Sequence, residues 1–248
     1  MKAVILAAGK GTRMGALTEE LPKPMLRVNG RPILEHILKG LRDAGFSEFC
    51  FITGWKAEVI ENFFGDGSDW GVSVSYVRQV VQDGTGKAPE LAREFVGEDF
   101  FLLTYGDILV KPETYRRMLE RWEEGEFSGL VTVTGSEDVT KGGLFFFDEG
   151  FCLTHLVEKP SAVALEELRA EGWLREEMPA WYNAGIYLFE PGLFDYTVGL
   201  EKSPRGEYEL TDALAGLISA GGTVAGLEIG GRWVDVRDPE VLRKLEEG

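Results

Sequence analysis

Cysteine and histidine are nearly absent from this chain: its 248 residues contain two of each. Cys50 and Cys152 stand in apolar, strand-like runs with no CxxC spacing, so both are read as buried thiols of a reducing compartment. His36 and His155 fall in no metal or nucleophile pattern, which removes histidine-based zinc sites and catalytic triads from consideration. Positive charge is also short. Against 42 Asp and Glu there are only 26 Lys and Arg, a formal net charge of −16, whereas a general nucleic-acid surface needs the opposite sign. The acidic excess itself reads as solubility. Nowhere do eighteen apolar residues run together, and the N-terminus lacks the charged, apolar and small-residue segments of a signal peptide. The expectation is a cytoplasmic protein with no nucleic-acid and no membrane partner.

What is present begins at the N-terminus. Residues 3–8 form a nearly continuous apolar run, as expected of a parallel strand covered on both faces. Gly9, Gly11 and Gly15 then let the backbone approach a ligand, and Lys10, Arg13 and Lys23 can supply charge to an anion. Two familiar phosphate motifs do not fit. Lys10 is followed by Gly11 rather than Ser or Thr, and Met14 stands where the dinucleotide fingerprint needs its third glycine. An ordinary turn after a strand would explain the first two glycines equally well.

Strands and helices then alternate. Residues 31–44 place Ile33, Leu34, Ile37, Leu38 and Leu41 on one helical face, and Gly45 is a natural stop. Strands are expected at 49–53, 72–77 and 100–104, with a helix at 57–64. Pro112 opens a helix whose Tyr115, Met118, Leu119 and Trp122 share a face. Such order predicts an α/β fold, a mostly parallel sheet with helices on both faces. Later strands, at 130–134, 144–147, 151–158 and 186–189, have shorter or irregular connections and suggest a mixed portion of the sheet. A last helix is expected at 239–247. No linker or repeat divides the chain, so residues 1–248 are read as one domain, with a first half of about 1–135 and a second half of about 136–248.

Several polar residues fall at strand ends. Asp107 follows the strand at 100–104, where open α/β sheets bind ligands, although in isolation a turn aspartate capping the next helix is the stronger reading. Glu158-Lys159-Pro160 closes another strand, and a surface charge pair would explain it. Asn183 can both donate to and accept from a hydroxyl. Trp181 and Tyr182 could stack on a ligand, but core packing is the commoner fate of such residues.

Leu6-Ala-Ala-Gly-Lys-Gly-Thr-Arg-Met14 followed by Pro22-Lys-Pro-Met-Leu26 closely resembles the signature of the sugar-1-phosphate nucleotidyltransferases. The resemblance extends in order to Gly106-Asp107, Glu158-Lys159-Pro160, Asn183-Ala-Gly185 and Trp233-Val-Asp235. It implies a Rossmann-like, nucleotide-diphospho-sugar transferase fold and an enzyme that joins a nucleoside triphosphate to a sugar 1-phosphate with loss of pyrophosphate. Ala8, Gly9, Gly11, Thr12 and Arg13 would then hold the triphosphate, with Lys23 near the reacting phosphates. Asp107 and Asp235 would be ligands of Mg²⁺. Glu158 and Asn183 would hold sugar hydroxyls, and Lys159 the sugar phosphate.

The run from Gln79 to Ala88 resembles the family's base-reading turn. It implies contacts from the Gln79 amide, Gly84 and Thr85, with Gln82 a competitor for the first role and the missing side chain of Gly84 making room for the base. UTP is the first expectation and dTTP the second. A GTP- or CTP-using sugar-phosphate or choline-phosphate transferase and a non-catalytic nucleotide-binding homologue are the alternatives. Gly143 falls where the family has a Tyr-Gly, but Gly142 replaces the tyrosine, which puts the sugar contact there in question. Residues 206–212 resemble a further family element, taken as structural. The expected partners are the triphosphate and the sugar 1-phosphate, and a homo-oligomer is left open.

Overall fold

The computed structural model describes residues 1–135, 137–175 and 179–247. In chain order, β1 (Lys2–Ala7) leads through a 3₁₀ segment (Thr12–Thr18) to a minimal hairpin of β2 (Arg27–Val28) and β3 (Arg31–Pro32). Next come α1 (Ile33–Asp43), β4 (Glu48–Thr53), α2 (Ala57–Phe64), β5 (Ser73–Arg78), α3 (Arg93–Val96), β6 (Phe101–Tyr105), β7 (Ile108–Val110), α4 (Pro112–Glu123) and β8 (Gly129–Thr134). The remainder is β9 (Gly143–Phe147), β10 (Leu153–Glu158), α5 (Ala162–Ala170), β11 (Trp181–Phe189), α6 (Phe194–Thr197), α7 (Leu210–Ser219), β12 (Val224–Glu228), β13 (Trp233–Asp235) and α8 (Pro239–Glu247).

A single nine-stranded sheet runs through the chain in the order β10-β9-β11-β6-β1-β4-β5, with β8 on β11 and β12 on β8. Strands β6, β1, β4 and β5 are parallel, whereas β11 runs antiparallel to β6, β8 and β9. Alternation along β1 shows why both faces are covered. Ala3, Ile5 and Ala7 enter one core with Leu34 and Ile37 of α1 and Met118 of α4, while Val4 and Ala8 enter the other with Leu214 and Leu217 of α7. The period-two strand thus needs helices above and below. Gly45 follows the end of α1 at φ +100, a conformation that favours glycine.

The expected fold class is the one observed, although α5, α6, α7 and the short strands β2, β3, β7 and β13 were not expected, β10 begins at Leu153 rather than 151, and three further departures have local causes. Strand β11 begins at Trp181 rather than 186 and shifts register between Asn183 and Tyr187. Gly185 in that shift has φ +78, and a Cβ there would lie 2.6 Å from the Tyr105 ring, so the bulge is built for close packing. Strand β12 carries Gly226, where a Cβ would meet Phe147 at 2.6 Å and Phe151 at 2.7 Å; this glycine had hidden the strand in the sequence. Cys50 is buried as expected, but Cys152 is half-exposed, because it sits in the turn before β10 and only bridges Ala225. Among the described residues no helix is long and apolar enough to cross a membrane.

Candidate active site

The carboxyl ends of the parallel strands open into a cavity of about 500 Å³. Every residue given a binding, catalytic or metal role by the resemblance, from Ala8 to Asp235, lines it, whereas Lys10, Gly15 and Trp181 do not. The loop after β1 is shaped by its glycines: Gly11 has φ +66, and a Cβ there would lie 2.8 Å from Cβ of Lys23. That missing atom lets the loop lie against the Pro22-Lys23-Pro24 turn. Met14 anchors the loop in the core, and the Thr18 hydroxyl donates to the carbonyls of Gly11 (3.1 Å) and Gly15 (3.2 Å). Arg13 and Thr12 stay exposed, and Lys10 lies over the Trp55 ring at 4.4 Å.

Below the loop three charges meet. Asp107 follows β6, and Asp235 lies on β13, whose ladder with β7 brings the two together: Val236 N donates to Asp107 O at 3.0 Å. The Lys23 ammonium donates to Asp107 Oδ2 and lies 4.0 Å from Asp235 Oδ1. Burial first, and the neighbouring charge of Asp107 second, push the Asp235 carboxyl up to about 6. Lys23, Arg237 and Arg13 act in the opposite sense without cancelling the rise.

At the other end, Glu158 closes β10. Its Oε2 accepts from the Thr211 hydroxyl at 3.2 Å, and its Oε1 lies 3.6 Å from Lys159 Nζ and 3.7 Å from the Arg205 guanidinium. Burial, partly offset by Lys159, raises its pKa, and the charge of Glu209 adds to the rise. Asn183 Nδ2 lies 2.8 Å and Oδ1 2.9 Å from the Tyr187 hydroxyl, and Oδ1 also accepts from Gly185 N at 3.1 Å. A Cβ on Gly143 would lie 2.9 Å from Cε1 of the Phe145 ring and 3.2 Å from Asn183 Cβ, so a larger residue there would displace the ring and crowd Asn183.

Compared with known proteins, the nucleotidyl transferase family pattern matches residues 2–247. This chain belongs to that family. It is 34% identical over 249 residues to the low-salt glycan biosynthesis nucleotidyltransferase Agl11 of Haloferax volcanii, covering 100% of this chain and 65% of that protein. To the UTP–glucose-1-phosphate uridylyltransferase AglF of the same organism it is 32% identical over 251 residues, covering 100% of this chain and 96% of AglF. It spans under two thirds of Agl11 and 52% of some longer relatives. A crystal structure of a UDP-glucose pyrophosphorylase complexed with UDP-glucose has the same fold, with a TM-score of 0.84 at 21% identity over 99% of this chain and 97% of that one.

Sugar nucleotidyltransferases of this kind are generally divalent-metal dependent, and the donor set in this member fits a hard cation. Two partly buried carboxylates share a site that already draws one ammonium between them, and carboxylate oxygens are the ligands Mg²⁺ takes. Among the described residues no group of three or more Asp, Glu, His or Cys is poised to hold a metal, so phosphate oxygens and water would complete the shell.

The nucleotidyl transferase site also holds residues that the sequence reading missed or misread. Gly84 has φ +119, but a Cβ there would lie 2.3 Å from the Tyr208 carbonyl oxygen. Its missing side chain makes room for the Tyr208 backbone, while Gly84 itself lines the cavity. Residues 206–212 also reach the site: Glu207, Glu209 and Thr211 line the cavity, and Tyr208 is zipped to the 79–88 turn by Tyr208 N→Asp83 O and Gly86 N→Tyr208 O, both 2.8 Å. Arg237, which donates to Glu137 at 2.6 Å, also lines the site. The Gly206–Asp212 pattern had been noticed in the sequence, but nothing local in it revealed that β10 lies alongside.

Proposed function

We propose that the chain transfers a nucleotidyl group from a nucleoside triphosphate to a sugar 1-phosphate, giving a nucleoside-diphosphate sugar and pyrophosphate. The observation that carries this reading is the meeting, in one cavity, of the glycine-rich loop, the Lys23–Asp107–Asp235 centre and the Glu158–Asn183 wall. Residues 1–248 act as one domain of two halves, supported by the single sheet through both. The half of about 1–135 holds the nucleotide and the half of about 136–248 the sugar.

The chemistry is a displacement between anions, so alignment and charge neutralisation dominate the barrier. Ala8, Gly9, Gly11 and Thr12 present backbone and a hydroxyl to the triphosphate, and Arg13 supplies positive charge. Lys159 holds the sugar phosphate, one oxygen of which attacks the α-phosphorus. The bond from the α-phosphorus to its bridging oxygen breaks, and pyrophosphate leaves with that electron pair. Lys23 offsets the charge that builds at the α-phosphate. Mg²⁺ held by Asp107 and Asp235 would add Lewis-acid stabilisation of the same charge. No covalent enzyme intermediate is needed, since no nucleophilic side chain is called on.

Gln79 and Gln82 both line the nucleotide end, with Gln79 Nε2 donating to Gly84 O at 3.4 Å, and Thr85 stands beside them. An amide there can pair with the O4 and N3–H edge of uracil or thymine. UTP is the first choice and dTTP the second, and the likeness to AglF supports the first. A cytoplasmic setting agrees with two cysteines that are both free. The test is a matrix of triphosphates against sugar 1-phosphates, with Mg²⁺, scored by pyrophosphate release. Release with UTP and a hexose 1-phosphate is expected, and no release with any pair would refute the reading.

A further inference from the structure

The polar side chains at the sugar end are paired among themselves, with one exception. Asn183 is tied to Tyr187, Tyr187 to Tyr105 at 3.3 Å, and Thr211 to Glu158. Tyr182 is 7% exposed and lines the cavity, yet its hydroxyl has no hydrogen-bond partner among the described residues. Facing the cavity and engaged by no protein group among the described residues, this hydroxyl is free to donate to a bound ligand.

Its place in the site is fixed from two sides. The ring packs edge-on against Trp233 at 5.7 Å, and the Trp233 indole donates to Ala184 O at 2.8 Å. The hydroxyl occupies the volume of a side chain that position 142 does not have: a Cβ on Gly142 would lie 2.5 Å from it. Gly142 has φ −157 and ψ −161, an extended conformation open to any residue, so the phenol and not the backbone requires glycine there. The Gly142 carbonyl in turn accepts from Lys159 N at 2.9 Å. The phenol therefore stands beside the proposed sugar-phosphate lysine, and burial holds its pKa up at about 12, so that it remains a donor.

We propose that Tyr182 is a specificity-determining residue, whose hydroxyl donates to one ring hydroxyl of the bound sugar 1-phosphate. This inference rests on the function proposed above. It accounts for Gly142, the position at which the chain departs from its family's Tyr-Gly pattern. The aromatic group there is supplied by β11 instead of the turn before β9.

The test compares wild type, Tyr182→Phe and Gly142→Ala with glucose 1-phosphate and its monodeoxy analogues, at saturating UTP. Tyr182→Phe keeps the ring against Trp233, so its melting temperature should match wild type. Its KM for glucose 1-phosphate should rise about 3- to 10-fold, the scale of one neutral hydrogen bond, while KM for UTP stays fixed. One deoxy analogue should be a poorer substrate than glucose 1-phosphate for wild type but an equal one for Tyr182→Phe. Gly142→Ala, which displaces the phenol, should reproduce the loss. Unchanged sugar kinetics in Tyr182→Phe, or a loss spread equally over all analogues, would overturn the assignment while leaving the transferase reading intact. If wild type itself released no pyrophosphate with any sugar 1-phosphate, both would fall.

Discussion

The two ends of the cavity are built on opposite plans. At the end proposed for the nucleotide, among the described residues, Arg13 makes no ion pair, Thr12 is exposed, and Lys10 rests only on the Trp55 ring. At the end proposed for the sugar, Asn183 is held by Tyr187, Glu158 by Thr211, and the buried Glu209 by Arg205 and by the Ser203 hydroxyl at 2.9 Å. A triphosphate brings its own charge and can organise a loose cationic loop around itself. A nearly neutral sugar ring has no such field, so its partners must be aligned beforehand. The charged centre of Lys23, Asp107 and Asp235 is where the two plans meet.

The largest effect should come from the shared centre. Asp107→Asn and Asp235→Asn keep size but remove charge, and kcat should fall by roughly two orders of magnitude or more in each. Mg²⁺-dependent turnover at the wild-type rate in both variants would refute the metal role.

Glu209→Gln tests the pre-aligned wall. With its carboxylate gone, Arg205 loses its closest partner, and KM for the sugar 1-phosphate should rise about tenfold, as for one charge-assisted hydrogen bond. A rise in the triphosphate KM instead would mean that the wall serves the other substrate.

The smallest effect concerns pH. Asp235 has a folded pKa of about 6, raised above its ordinary value, so between those two values the folded state holds a proton that the unfolded state has lost. Stability from this group is therefore present below the ordinary carboxylate pKa and is lost as pH rises through about 6. Without metal, wild type should gain more thermal stability than Asp235→Asn on moving from about pH 7.5 to about pH 5, and with Mg²⁺ present its turnover should fall over the same range as the ligand is protonated. An equal gain in the two proteins would show that Asp235 is not strained by its neighbour.

The regular βα units of the first half were legible because each strand is a short apolar run followed by an amphipathic helix. Helix α2 has the expected limits of 57 and 64, and the glycine-rich loop follows β1. The second half was harder to read, because its strands are shaped by contacts distant in sequence. Gly226 and Gly185 are glycines because of Phe147, Phe151 and Tyr105, none of which is a chain neighbour. The same holds for the site. Asp107 and Glu158 could be found at strand ends, but Thr211, Glu209 and the free phenol of Tyr182 gain meaning only once β10, β11 and the 206–212 segment lie side by side.

The division of the cavity is tested most directly by one pair of variants assayed for both substrates. Arg13→Ala should raise KM for UTP and leave that for the sugar 1-phosphate unchanged, whereas Lys159→Ala should do the reverse. If both variants weakened the same substrate, the two ends would not be the two separate binding plans described for them.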